Sequence, residues 1–139
     1  MRKRVFEVID CVKDMHNYNV DANYCKKVVE EISKPEFLKT VAENGRYSKD
    51  LLLQRKLERN NNSHMKVING LGLIIDIELD VADAKPVLEA CQELGVHLLD
   101  APAPKRNIVR LGPSLKSSKE ELEHEAELFC QALAVLDEA

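Results

Sequence analysis

The chain has 139 residues, of which 45% are apolar and 32% charged, with a net charge of −4, few aromatics and no tryptophan. This is the balance of one folded domain whose core must be built from Leu, Ile, Val and Ala, and not of a disordered tail. The acidic balance argues against a broad nucleic-acid surface, which needs clustered Lys and Arg, and no apolar run reaches the roughly 20 residues that span a bilayer. The opening Met1-Arg2-Lys3-Arg4 is followed at once by Glu7, Asp10 and Asp14. That is unlike a secretory signal or a transit peptide, so the expected location is the cytoplasm.

The first half reads as helix. Val5, Ile9 and Val12 recur at helical spacing over residues 4–15, and Asn17, Asn19 and Asp21 form a connector with capping chemistry. Tyr24, Val28 and Ile32 mark a second helix. Ser33, Pro35 and Glu36 then stop it and open a third, which runs to about Glu58 with Phe37, Val41, Ser48 and Leu52 along one stripe. Gly45 lies inside that helix, where it costs about 1 kcal/mol relative to Ala. Such a glycine points to a packing reason, the close approach of another backbone. Asn60 to Ser63 reads as a loop.

From Lys66 the period changes. Leu73, Ile75, Ile77 and Leu79 alternate with Ile74, Asp76 and Glu78, the pattern of a strand with one apolar face. Gly70 and Gly72 precede it, where backbone turns or passes closely. Asp83 is placed to cap a helix through Val87, Leu88, Cys91 and Leu94, which Gly95 ends. Val96–Leu99 and Asn107–Leu111 read as two further strands. Ser118-Lys119-Glu120-Glu121 is a capping box, opening a last helix with Leu122, Ala126, Phe129, Cys130, Leu133 and Leu136 on one face. The expected fold class is α+β: a helical N-terminal segment, then β-α-β-β-α, with three or four short strands, antiparallel in part, covered by helices.

Few residues offer chemistry by type and spacing. Cys11, Cys25, Cys91 and Cys130 are far apart and make no C-x-x-C pair, so reduced structural thiols are expected. His16, His64, His97 and His124 lack ligand spacing, which predicts no metal site. No serine sits in a G-x-S-x-G element. The acidic run Glu120, Glu121, Glu123, Glu125 and Glu127 reads as the wet face of the last helix. Arg110 stands apart. In its strand Val109 and Leu111 share the core face, which turns Arg110 to the other side, just before Gly112-Pro113. A guanidinium on a rigid strand end can clamp a carboxylate through two parallel hydrogen bonds. A solvated or salt-bridged surface arginine is the ordinary alternative.

Four segments together resemble class III pyridoxal-phosphate-dependent aminotransferases of the acetylornithine/ornithine type. Gly70-Leu71-Gly72-Leu73-Ile74-Ile75-Asp76-Ile77-Glu78-Leu79 is similar to their "G-x-G-L-x-x-G-I-E-L" strand. Val87 to Gly95 is similar to the following helix and its glycine stop. Asn107-Ile108-Val109-Arg110-Leu111-Gly112-Pro113-Ser114-Leu115 resembles "N-V-x-R-L-x-P-P-L". Phe37 through Gly45 to Leu52 resembles the helix before this domain. The resemblance covers residues 22–136 and implies the C-terminal small domain, here residues 22–139, preceded by an unmatched helix and connector at residues 1–21. It also implies substrate binding through Arg110, which would hold the α-carboxylate. Nothing in the chain resembles the cofactor-bearing large domain, with its Schiff-base lysine and phosphate loop. No catalytic, cofactor-binding or metal residue is therefore assigned, and pyridoxal 5'-phosphate belongs to the full-length family. The chain alone is expected to be inactive in amino-group transfer to 2-oxoglutarate. Its expected partners are the missing large domain or a second copy, with an amino acid or 2-oxo acid as ligand, and neither nucleic acid nor membrane. Three departures bear on Arg110: Asp76 stands where the pattern has glycine, Ser114 where it has proline, and the loop Asp100–Arg106 is longer. A stand-alone binding or regulatory module, or an oligomerising structural domain, is the competing reading.

Overall fold

A computed structural model describes residues 22–59, 63–101 and 104–138. The expected helix over 4–15, its connector and most of the 60–63 loop lie outside these. The described chain divides into two compact units between Thr40 and Val41. In the first, helix α1 (Ala22–Ile32) has no buried residue, and its stripe of Tyr24, Val28 and Ile32 is exposed. Helix α2 (Pro35–Arg59) begins one residue later than a Ser33 cap would place it, since the first helical bond runs from Leu38 N–H to the Lys34 carbonyl.

The second unit holds the rest of α2 and the sheet. Its elements are β1 (Met65–Leu71), β2 (Ile74–Leu79), α3 (Lys85–Leu94), β3 (Leu98–Leu99), β4 (Ile108–Leu111), α4 (Lys119–Leu133) and a 3₁₀ turn over Ala134–Glu138. The four strands lie in the order β1-β2-β4-β3, and every neighbouring pair is antiparallel. The α+β class is as expected. The expected β-α-β-β-α order is corrected to β-β-α-β-β-α, because Met65–Leu71 pairs with β2 as a hairpin. Its apolar alternation is interrupted by Asn69 and Gly70, so period alone does not reveal it. The last helix also ends sooner than expected, with Leu136 in the 3₁₀ turn.

One face of the sheet makes the core. Ile68, Ile75, Ile77, Leu79, Val109 and Leu111 point inward, and Leu52 of α2, Val87 and Cys91 of α3, and Ala126, Phe129 and Leu133 of α4 cover them. Full burial of each large side chain contributes about 1.5–3 kcal/mol. On α2 the buried stripe is Asn44, Gly45, Ser48 and Leu52. Gly45 is there for the expected reason: a Cβ on it would stand 2.1 Å from the Gly72 carbonyl oxygen in the hairpin turn. Gly72 has φ +58°, which glycine adopts at little cost and most residues do not. Asn44 Nδ2 donates to the Ser117 carbonyl at 3.2 Å, tying the same turn of α2 to the approach of α4.

The helix ends follow local chemistry. Ser118 and Glu121 close a reciprocal capping box at α4. Asp83 does not cap α3 in the expected position: Ala84 is the N-cap residue, and Asp83 Oδ1 instead accepts from Lys85 N–H at 2.9 Å. Gly95 takes the left-handed conformation at φ +80°, and its N–H bonds the Gln92 carbonyl at 3.2 Å, ending α3 as its residue type predicts.

Candidate functional site

Strand parity decides what faces away from the core. Ile75 pairs with Leu111 and Ile77 with Val109 on the inner face, so the intervening pair, Asp76 with Arg110, stands on the outer face. Asn69 on β1 and Leu99 on β3 continue the same row, giving Asn69-Asp76-Arg110-Leu99 across all four strands. Arg110 is thus where sequence reasoning puts it, on a short β-element, turned from the hydrophobic interior.

Its guanidinium is already engaged. Arg110 Nε donates to Asp76 Oδ1 at 2.6 Å and Nη2 donates to Oδ2 at 2.8 Å. This is the two-point pairing through which a guanidinium recognises any carboxylate. Both side chains are about three-quarters covered, at 28% and 27% exposure. The Arg110 hydrogen bonds hold the Asp76 carboxyl below its ordinary range, against the opposing effect of burial. One step along the face, Glu78 lies 3.6 Å from both Lys66 and Lys105, and the nearby charges, Lys105 first, hold its carboxyl below the ordinary carboxylate range. The same face carries exposed apolar residues: Leu71, 90% exposed, pairs with Ile74 across β1 and β2, Val67 lies opposite Glu78, and Leu99 lies opposite Arg110 on β3.

Asp76 is the residue that sequence reasoning left apart from Arg110. It registers there as a departure from a pattern, not as a partner. The available signal was parity, since both residues occupy outward positions of their strands. What brings them together is the pairing of β2 with β4, across a separation of 34 residues.

Other charged clusters tie the fold together. His64, in the left-handed region at φ 57°, sits between Asp80 (Nδ1 at 3.2 Å) and Asp137 (Nε2 at 2.8 Å). The Asp137 hydrogen bond is the largest influence raising the imidazole above its usual 6.5. The Glu125 carboxylate accepts from His97 N–H at 2.6 Å and lies 3.0 Å from its Nδ1. Among the described residues no group of three or more His, Cys, Asp and Glu is arranged to hold a metal, and no helix is long and apolar enough to cross a membrane. Cys91 and Cys130 are buried, and desolvation pushes the Cys91 thiol up to about 12.

The lysines beside Arg110 do not fit a pyridoxal phosphate site. A Schiff-base lysine must become a neutral amine, commonly by desolvation. Lys66 and Lys105 instead lie largely in solvent, each paired with Glu78 and not desolvated.

Comparison with known proteins gives this geometry a context. No family model matches the chain. It is 41% identical over 110 residues to the mitochondrial acetylornithine aminotransferase of Alnus glutinosa, covering 79% of this chain and 23% of that protein. It is 30% identical over 113 residues to the acetylornithine aminotransferase of Caldanaerobacter subterraneus subsp. tengcongensis, covering 80% and 25%. The fold matches the crystal structure of N-acetylornithine aminotransferase from Stenotrophomonas maltophilia with a TM-score of 0.72, at 18% identity, over 84% of this chain and 31% of that one. The chain therefore spans about a quarter of the curated relatives it matches. Over about four-fifths of its length the chain is thus similar to a part of the acetylornithine aminotransferases, in sequence and in fold.

Proposed function

We propose that residues 22–139 are the C-terminal small domain of an acetylornithine- or ornithine-type aminotransferase, and that Arg110 is its substrate-carboxylate residue. One observation carries the reading: the guanidinium stands on the outer face of the sheet in two-point contact with a carboxylate, on a chain whose relatives are named acetylornithine aminotransferases. A strand-borne arginine orients a substrate without moving a proton. Such positioning lowers a barrier by fixing the reacting groups in advance. Amino-group transfer and its cofactor chemistry are assigned to the rest of the enzyme, so the chain by itself is inactive.

The exposed apolar residues around the Arg110 row support a packing role for the same face. Val67, Leu71, Ile74 and Leu99 make a patch of the kind that is normally covered by another domain or subunit. The proposal assigns it to the large domain of the enzyme, with a second copy of the chain as the substitute when that domain is absent.

The test is a chimera. The segment of the Alnus glutinosa enzyme that matches this chain is replaced by the chain's own residues, and transamination of acetylornithine is measured beside the isolated chain. Activity in the chimera, its loss in Arg110→Ala, and none in the isolated chain mixed with pyridoxal phosphate are expected. Turnover by the isolated chain would refute the division of labour. Full activity of the Arg110→Ala chimera would refute the role of Arg110.

A further inference from the structure

We infer that Asp76 is a built-in occupant of the side-on carboxylate site of Arg110, so that an external carboxylate reaches the Nε edge of the guanidinium only by displacing it. The inference rests on the reading of Arg110 as a carboxylate-binding residue, and concerns what controls access to it.

The geometry is that of a ligand already in place. Arg110 spends the two donors that lie in parallel along one edge, Nε and one terminal nitrogen, on the two oxygens of a single carboxylate, at 2.6 and 2.8 Å. A carboxylate arriving from solution needs this Nε–Nη2 edge for the same side-on pairing, and there it meets Asp76 already bonded to both donors. Asp76 is delivered to that edge by the backbone, as the direct cross-strand partner of Arg110. The register is reinforced on both sides by inner-face pairs, Ile75 with Leu111 and Ile77 with Val109, all buried. An intramolecular partner held by rigid neighbours competes at an effective concentration far above that of a millimolar solute.

Local electrostatics work in the same direction. The pair is close to neutral as a unit, and the other two members of its row, Asn69 and Leu99, carry no charge. No net positive centre then remains on this row to draw an anion in. Asp76 is accordingly a specificity-determining residue: with it present the row offers a closed ion pair, and without its charge it offers a guanidinium edge shaped for a carboxylate. The class of ligand admitted on opening is a mono- or dicarboxylate small enough to lie along the sheet between Asn69 and Leu99.

The test uses the whole chain, labelled with nitrogen-15, and follows the Arg110 Nε–H resonance during titration with sodium glutarate, with glutaramide as the uncharged control. Asp76→Asn removes the charge while keeping the shape, and Asp76→Ser removes the competing acceptor geometry, in case one of them folds poorly. The expected result is little response in the natural chain and a saturable shift in the variants, with apparent affinity higher by about tenfold or more. A response in the natural chain as strong as in the variants overturns the inference while leaving Arg110 as a carboxylate site. A resonance that moves on substitution of Asp76, marking the released guanidinium, yet ignores glutarate in both variants overturns the reading of Arg110 and the inference with it. An equal response to glutaramide also overturns the inference, since the contact would not depend on a carboxylate.

Discussion

Replacing Gly45 by alanine separates local propensity from tertiary packing. In an exposed helix the change stabilises by about 1 kcal/mol, because alanine loses less backbone freedom on folding. Here the added Cβ would lie 2.1 Å from the Gly72 oxygen, 2.5 Å from its carbonyl carbon and 2.9 Å from its Cα. Restoring an ordinary 3.4 Å contact to the oxygen means a separation of about 1.3 Å more, and every atom in the way is backbone. Gly72 has little room to yield. It holds a positive φ in a turn closed by the Leu71–Ile74 pair, and the next residue, Leu73, is buried. Overpacking of this kind costs about 1–3 kcal/mol, and the unyielding neighbour puts Gly45→Ala at the upper end. After the propensity gain the net loss is about 2 kcal/mol, a fall of roughly 10 °C in Tm for a domain of this size. Urea unfolding followed by circular dichroism at 222 nm measures it, with the midpoint falling and the slope unchanged. Gly95→Ala serves as the contrast: its site is open, with nothing within 4 Å of the added carbon, so only the left-handed conformation is penalised, by about 1 kcal/mol. An unchanged or raised midpoint in Gly45→Ala would refute the close approach of α2 to the hairpin turn.

Two further predictions concern titration and reactivity. His64 has a folded-state pKa raised above 6.5 by Asp137 and Asp80, so its stabilisation is complete below that value and is lost as pH rises through the folded pKa. The urea midpoint should therefore fall as pH rises above about 6.5, and His64→Asn, which tolerates the left-handed backbone, should remove this part of the slope. An identical pH profile in the variant would show that the His64 cluster contributes nothing. Cys91 and Cys130 should resist iodoacetamide at pH 8 in the folded protein and label in urea, because burial disfavours both thiolates. Peptide mass spectrometry that finds either one labelled before unfolding would contradict their placement in the core.

Particular residues mark how far reading along the chain carries. Ser118 and Glu121 announce the start of α4, and Gly95 the end of α3, because caps act within a few residues and their chemistry is written locally. The inward set Leu73, Ile75, Ile77 and Leu79 is legible for the same reason: a strand alternates with period two whatever it pairs with. Strand β1 escapes this reading because Asn69 and Gly70 break the alternation, and its existence depends on the pairing with β2. The outward direction of Arg110 is equally local, whereas its engagement is not.

The order of residues by itself determined the α+β class, most of the helix ends, the need for a close neighbour at Gly45 and the side of the sheet on which Arg110 stands. Tertiary structure alone decided that the neighbour is Gly72, that His64 meets Asp80 and Asp137, and that Asp76 fills the guanidinium edge. The physical reason is range. Backbone period and capping act over a turn or a strand, while partners tens of residues apart meet only when the register of the sheet and the packing of its helices bring them together.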